Sequence, residues 1–277
     1  MLSNTLKLVS GAPSPGSDPV LSELIRSFEL ARPVSRSLSP KWDLSVVLLA
    51  LTKAPFEPLH QASLEHLTWK CVFLLTLASA KRRSEIHALS MDSHCLRFNR
   101  DGSVSLAFQA GFLPKNQLPS AMPPPILIPS LAKQCGRDDP DRLLCPVRTL
   151  KFYLKATENS RGSRTRLFLP LSGTRDISAS TISRWVKATI KFAYNSVPAE
   201  DWNLLRVRPH ELRALSTSWA FLHHAPLDEV LSAAFWRSAT TFSSFYLRSF
   251  STEIDDMYAL GPIVAAQAVV APPVSSC

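Results

Sequence analysis

The spacing of apolar residues predicts helices along most of the chain. Between residues 20 and 31 apolar positions recur every three or four residues, as on one face of an amphipathic helix. A second region of this kind spans 43–53, and a third spans 64–80. The third is apolar on most of its sides, which predicts a helix buried in the core. Ser84 and Glu85 open another short helix, with an acidic residue in its first turn. Further helical patterns follow position 145, at 147–158, 178–194, 209–223, 226–234 and 239–250.

The period changes from helical to alternating in the middle of the chain. Apolar and polar residues alternate over 94–99 and over 103–108, with Arg-Asp-Gly at 100–102 between the two runs. A glycine-containing turn between alternating runs favours an antiparallel hairpin. Residues 126–128 add a third short strand. The predicted fold class is therefore mostly α with a small antiparallel β-sheet (α+β), and its predicted core includes Leu67, Phe73, Leu74, Leu77, Ile86, Leu89, Ile182, Leu212 and Leu215.

Changes in composition divide the chain into three parts. Two stretches, 11–19 and 33–40, are rich in proline, glycine or serine, which is typical of linkers. One helix lies between them. We therefore expect linker and one helix over 1–41, a globular domain over 42–252 and a C-terminal tail over 253–277.

The charge balance favours a polyanionic partner. Lysine and arginine (31) outnumber aspartate and glutamate (22), for a formal net charge of +9. Such basicity is typical of nucleic-acid-binding proteins, although it also occurs in proteins that never contact nucleic acid. Glycine is scarce (8) and proline plentiful (22), which argues against a glycine-rich phosphate loop.

Cysteine usage and hydropathy exclude several other classes. The five cysteines show no Cys-x-x-Cys spacing and no histidine partners at metal-ligand spacing, so we expect reduced thiols, no metal and no cofactor. The N-terminus lacks the apolar stretch of a signal peptide. The longest internal apolar run, 45–51, is too short to span a bilayer, so we expect no membrane partner.

Three short runs and one tyrosine carry the residue types needed to attack a phosphodiester without a metal ion. Residues 82–86 are Arg-Arg-Ser-Glu-Ile, 210–213 are His-Glu-Leu-Arg, and 234–238 are Ala-Phe-Trp-Arg-Ser, with Tyr246 beyond them. His210 and Arg213 are three positions apart and so share one helical face. Arginines hold and neutralise a phosphate, and a phenol is a nucleophile.

In this order the runs resemble the sequence boxes of the tyrosine recombinases, also called phage-integrase-type recombinases. Residues 82–86 resemble the R-x-S-E-L box, 210–213 the H-x-x-R box and 234–238 the G-[HW]-x-S box. The tryptophan in the third box and the ending Thr-Phe-Ser-Ser-Phe-Tyr at 241–246 are most similar to recombinases of DIRS-type and Crypton-type mobile elements. The resemblance covers about residues 40–250.

This resemblance implies the tyrosine recombinase catalytic-domain fold over 42–252. It also implies that 1–41 is the remnant of an N-terminal core-binding region, in either a fragment or a protein with an abbreviated DNA clamp. The tail at 253–277 would lie outside the catalytic domain.

The resemblance implies catalytic roles for several residues. Tyr246 would attack the scissile phosphate and form a 3′-phosphotyrosyl intermediate, while Arg82 and Arg213 stabilise the transition state. Arg82 fits the register of the box better than Arg83 does. His210 would accept the phenol proton or hydrogen-bond the phosphate. Each residue also has an ordinary structural alternative, as a core aromatic, a surface arginine or a capping histidine.

Further residues have supporting roles under the same resemblance. Lys115, in the loop between predicted strands, would protonate the leaving 5′-oxygen, although a loop lysine is commonly just solvated. Trp236 would donate its indole N–H to the phosphate or simply be a buried structural tryptophan. Glu85 would orient a neighbouring arginine or histidine, or be an ordinary carboxylate at a helix start. The candidate DNA-binding residues, which would contact phosphates, are Arg83, Arg206, Arg208, Arg237 and Arg248.

The function predicted on this basis is a site-specific DNA recombinase or integrase derived from a mobile element. It would cut and rejoin double-stranded DNA without metal or ATP, and would assemble into a synaptic tetramer on DNA. Its location would be nuclear if the element is eukaryotic. Two alternatives stay open, a catalytically inactive DNA-binding module descended from a recombinase and a type IB topoisomerase-like enzyme.

Overall fold

The computed structural model describes residues 18–31, 42–115, 123–134, 140–195, 211–222 and 226–233. The helix predicted at 239–250 and the tail at 253–277 lie outside these ranges. Two compact units are distinguished, residues 1–38 and 39–277.

The first unit contains one described helix, α1 (Pro19–Ala31), close to the prediction of 20–31. Asp18 caps it, because its Oδ1 accepts the N–H of Val20 at 2.8 Å and that of Leu21 at 3.3 Å. Apolar side chains of α1 such as Phe28 are largely exposed. The start of this helix is set by the Asp18 cap, and its helical conformation agrees with the spacing of its apolar residues.

Where the structure describes it, the second unit is mostly helical with one small sheet, which confirms the predicted α+β class. Its elements agree with the predicted segments to within a few residues at each end. Two short pieces, the helix α5 (Leu131–Gln134) and a 3-10 turn (Pro140–Leu144), were not predicted, because a single turn is too short to show periodicity. The helices are α2 (Leu44–Leu51), α3 (Leu64–Ser79), α4 (Arg83–His87), α5 (Leu131–Gln134), α6 (Pro146–Arg161), α7 (Ala179–Ala193), α8 (Glu211–Leu222) and α9 (Leu227–Ala233), and the 3-10 turn is Pro140–Leu144.

The sheet has the order β1 (Leu96–Phe98), β2 (Val104–Leu106), β3 (Ile126–Ile128), with both pairings antiparallel. The predicted hairpin turn is present between β1 and β2. Gly102 has φ +92° there, a left-handed conformation that suits glycine, and its N–H donates to Asn99 O at 3.0 Å.

Helix α3 lies at the centre of the core, packed against α6, α7 and α8. Its N-terminus is capped by Ser63, whose Oγ accepts the His66 N–H at 3.2 Å. It ends at Ser79, and the next residue, Ala80, is fully buried and adopts a left-handed conformation with φ +51°. The predicted core is confirmed, since each of its members is at most 3% exposed: Leu67, Phe73, Leu74, Leu77, Ile86, Leu89, Ile182, Leu212 and Leu215.

A buried ion network fastens α3 and α6 to the loop after α2. Lys70 on α3 is fully buried, and its Nζ donates to Glu57 Oε1 at 2.5 Å and to Leu51 O at 2.7 Å. Arg148 on α6 binds both oxygens of Glu57, at 2.6 and 3.0 Å. Burial acts to raise the pKa of Glu57, but Arg148 and Lys70 outweigh it and lower the pKa. Burial also lowers the pKa of Lys70 to about 8.

We expect Glu57→Gln to destabilise the fold by about 3–5 kcal/mol at pH 6, because it leaves a buried ammonium without its carboxylate. Without Glu57, the pKa of Lys70 in the folded state falls further below its ordinary value. A buried lysine whose folded-state pKa is lowered decreases the free energy of unfolding most at pH values below that pKa. The loss becomes smaller as pH rises towards the pKa of lysine in the unfolded chain. The loss should therefore be smaller at pH 9, as measured by urea unfolding.

The matched control is Glu158→Gln, which removes the charge of an exposed carboxylate on α6. It should change the free energy of unfolding by less than about 0.5 kcal/mol. Equal losses for the two variants, or a loss for Glu57→Gln that does not vary with pH, would contradict this role of the network.

Candidate functional site

The turn that links α3 to α4 carries the first arginine of the candidate site. Arg82 is the residue before the first turn of α4, and its backbone N–H donates to Glu85 Oε2 at 2.8 Å. Its guanidinium Nη1 contacts the other oxygen, Oε1, at 2.9 Å. One carboxylate thus caps the short helix and holds the Arg82 side chain at the same time.

The second arginine, Arg213, comes from the first turn of α8. Its Nη1 lies 3.8 Å from Glu85 Oε2. Helix α8 is held in place by the Ser216 hydroxyl, which donates to Leu77 O on α3, and by Trp42, whose Nε1 donates to Glu211 Oε2 at 3.1 Å. Two arginines that are far apart in the sequence therefore meet at one carboxylate.

The structure distinguishes the two neighbouring arginines of the first box. Arg82 is half-buried and contacts Glu85, whereas Arg83 is exposed and its Nη1 lies 3.5 Å from Ser183 Oγ on α7. Arg82 is accordingly the one that joins the cluster with Arg213. Arg83 lies on the surface, where a DNA-contacting residue would be.

The cluster is buried and carries excess positive charge. Glu85 is fully buried, Arg213 is 3% exposed and Lys81 is 4% exposed, whereas the side chain of Arg82 is 22% exposed. Burial lowers the pKa of Lys81 to about 7; Glu85 opposes this shift, and the charges of Arg213 and Arg82 add to it. We name Lys81, Arg82, Glu85 and Arg213 the arginine cluster. It opens to solvent through Arg82.

Lys81 is a member of this cluster to which the sequence assigned no role. A signal was present, because a lysine directly after the long apolar stretch of α3 has little chance of reaching solvent. The ammonium of Lys81 lies near Arg213 because of the way α8 packs, and the periodicity of the sequence does not show this packing.

The other candidate residues are placed as follows. Lys115 is exposed, in a turn that follows β2 along the chain. His210 directly precedes the start of α8, outside the described residues. The remaining candidates also lie outside them: Arg206, Arg208, Trp236, Arg237, Tyr246 and Arg248.

Chemically, the arginine cluster is suited to bind an anion. A guanidinium has five N–H donors in a planar fork, a geometry that matches the oxygens of a phosphate. A phosphate placed at the exposed edge of Arg82 would balance the excess positive charge around Glu85. In a partly buried site such contacts are worth more than in bulk water.

Within the described ranges, no group of three or more His, Cys, Asp or Glu residues is arranged to hold a metal ion. The described cysteines, Cys71, Cys95 and Cys145, are free thiols. Among the described helices, none is both long and apolar enough to cross a membrane.

Comparison with known families returned no relationship for this sequence: no protein-family model matches it, and neither does any curated protein.

Proposed function

We propose that this protein is a tyrosine recombinase that cuts and rejoins double-stranded DNA, with the catalytic-domain fold of that family over 42–252. The observation that supports the proposal best is the meeting of Arg82 and Arg213 at the buried carboxylate of Glu85. These residues belong to two separate sequence boxes, which the resemblance assigns to one phosphate-binding site.

In the proposed reaction the phenol oxygen of Tyr246 forms a bond to the scissile phosphorus. The bond from phosphorus to the 5′-oxygen breaks, which leaves a 3′-phosphotyrosyl enzyme and a free 5′-hydroxyl. The phenol proton passes to His210, and the 5′-oxygen receives its proton from Lys115. Attack by a 5′-hydroxyl on the phosphotyrosyl ester reverses these steps, so that rejoining needs no ATP.

Arg82 and Arg213 neutralise the charge that develops on the non-bridging oxygens, and Trp236 donates a further N–H to them. The role of Glu85 is to fix the directions of both guanidiniums before the substrate arrives. Such preorganisation stabilises a transition state more than flexible surface arginines would, because little reorganisation remains to be done.

The proposed partners are double-stranded DNA and further copies of this chain in a synaptic tetramer. Arg83 is one exposed candidate for a DNA phosphate contact, and Arg206, Arg208, Arg237 and Arg248 are the others. In a eukaryotic host this function would be exercised in the nucleus.

The test uses duplex oligonucleotides of randomised sequence, each with a single nick so that the short 5′-hydroxyl fragment diffuses away after cleavage. We expect a protein–DNA adduct that survives SDS and is removed by protease, with Tyr246 as the modified residue in mass spectrometry. DNA binding without any adduct would contradict the enzyme and favour the inactive DNA-binding module. Adducts that form on single sites and never yield exchanged strands would favour the topoisomerase-like enzyme.

A further inference from the structure

The arginine cluster contains three cationic side chains around one carboxylate, and all but Arg82 are almost fully buried. If every group were ionised, the cluster would carry a net charge of +2 in a site with little solvent. Arginine does not lose its proton in proteins, whereas a buried lysine does so readily. Lys81 is therefore the cation of this cluster that can relieve the charge excess.

We propose that Lys81 is a positioning residue whose protonation is linked to phosphate binding: it takes up a proton when an anionic phosphodiester binds at Arg82 and Arg213. The inference rests on the proposed function in that this site must bind a DNA phosphate. Lys81 acts through the charge of the cluster and does not itself touch the substrate.

The linkage follows from the surroundings of Lys81. The described charged groups that face it are Arg82 and Glu85, at the start of α4, and Arg213 on α8. Burial lowers the pKa of Lys81 to about 7. A phosphate adds a negative charge nearby, which favours the ammonium form and raises that pKa.

The sign of the pH dependence is then fixed. The pKa of Lys81 is higher with phosphate bound than without. At pH values between these two pKa values, phosphate binding is therefore accompanied by uptake of a proton. Over that range the affinity for DNA falls as pH rises, by up to about tenfold per pH unit from this residue. Below pH 7 Lys81 is charged in both states and contributes no slope.

The experiment measures proton uptake when the full chain binds an unnicked duplex oligonucleotide, by titration calorimetry at pH 8 in two buffers of different ionisation enthalpy. A Tyr246→Phe background prevents cleavage. We expect uptake to fall by up to one proton per bound duplex in Lys81→Met and in Lys81→Arg. Lys81→Arg should also keep its DNA affinity between pH 7 and 9, where the parent loses up to about tenfold per unit.

Two outcomes overturn the inference in different ways. If Lys81→Met takes up as many protons as the parent, the uptake comes from another group, and the role of Lys81 is wrong while DNA binding stands. If the parent chain binds no DNA at any pH, the proposed function fails and the linkage with it.

Folding is a separate readout in the same experiment. Because the folded-state pKa of Lys81 is lowered, its burial destabilises the fold most below pH 7. This destabilisation becomes smaller as pH rises towards the pKa of lysine in the unfolded chain. Lys81→Met removes this cost, so its melting temperature should be at least that of the parent, with the larger gain at acid pH. A loss of stability in Lys81→Met at pH 6 would contradict the inference that the buried ammonium of Lys81 destabilises the fold.

Discussion

Tyr246→Phe forms no covalent adduct with nicked DNA, while its affinity for the same DNA stays within about twofold of the parent. The variant lacks the only atom that would bond to phosphorus, so the loss should be complete. One phenol hydroxyl adds little to binding, because phosphate contacts by lysine and arginine dominate DNA affinity. Adducts are counted on a denaturing gel, and affinity is measured by fluorescence anisotropy at fixed salt.

The chain offers a matched control in Tyr258, a tyrosine of the C-terminal tail. Tyr258→Phe should form adduct at the parent's rate. An adduct that persists in Tyr246→Phe and disappears in Tyr258→Phe would move the nucleophile into the tail. An adduct that persists in both would exclude each of these phenols as the nucleophile.

Lys115→Ala is expected to slow strand cleavage by about 100- to 10,000-fold, the usual range for a lost general acid. A substrate with sulfur at the bridging 5′ position leaves as a thiolate and needs no proton. On this substrate Lys115→Ala should recover most of the parent's rate. Arg213→Ala should stay slow on both substrates, because its loss removes charge stabilisation from the non-bridging oxygens.

Lys53→Ala is the control for removal of an exposed lysine within the same unit, and its cleavage rate should match the parent on both substrates. If the sulfur substrate rescues Lys115→Ala and Arg213→Ala equally, or rescues neither, Lys115 is a DNA-backbone contact. The proton donor would then be another residue.

The sequence predicted local features of this fold well because they depend on periodicity and turn chemistry. The apolar positions of α3 and the turn glycine Gly102 are examples, and the structure has both where the pattern indicates them. The choice of Arg82 over Arg83 came from the register of one box. It agrees with the contact of Arg82 to Glu85, while Arg83 is exposed.

Features that depend on long-range packing were not predicted. Lys70 interrupts an apolar run, which indicates a buried cation, but its partners Glu57 and Arg148 lie in other elements. Lys81 directly follows the apolar stretch of α3, but nothing in the sequence showed that Arg213 on α8 would lie near it. Which charges become neighbours is decided by how helices pack, and a one-dimensional pattern carries little information about that.

Ala80, between the end of α3 and the arginine cluster, stands at a position that few residue types can occupy. Its left-handed backbone excludes β-branched and bulky residues, and its complete burial excludes the asparagine and aspartate that otherwise accept this conformation. Glycine is the one replacement that meets both conditions. We therefore expect homologous sequences to have only alanine or glycine at position 80. This restriction comes from the backbone conformation and the burial, because the Ala80 methyl group has no role in the proposed reaction.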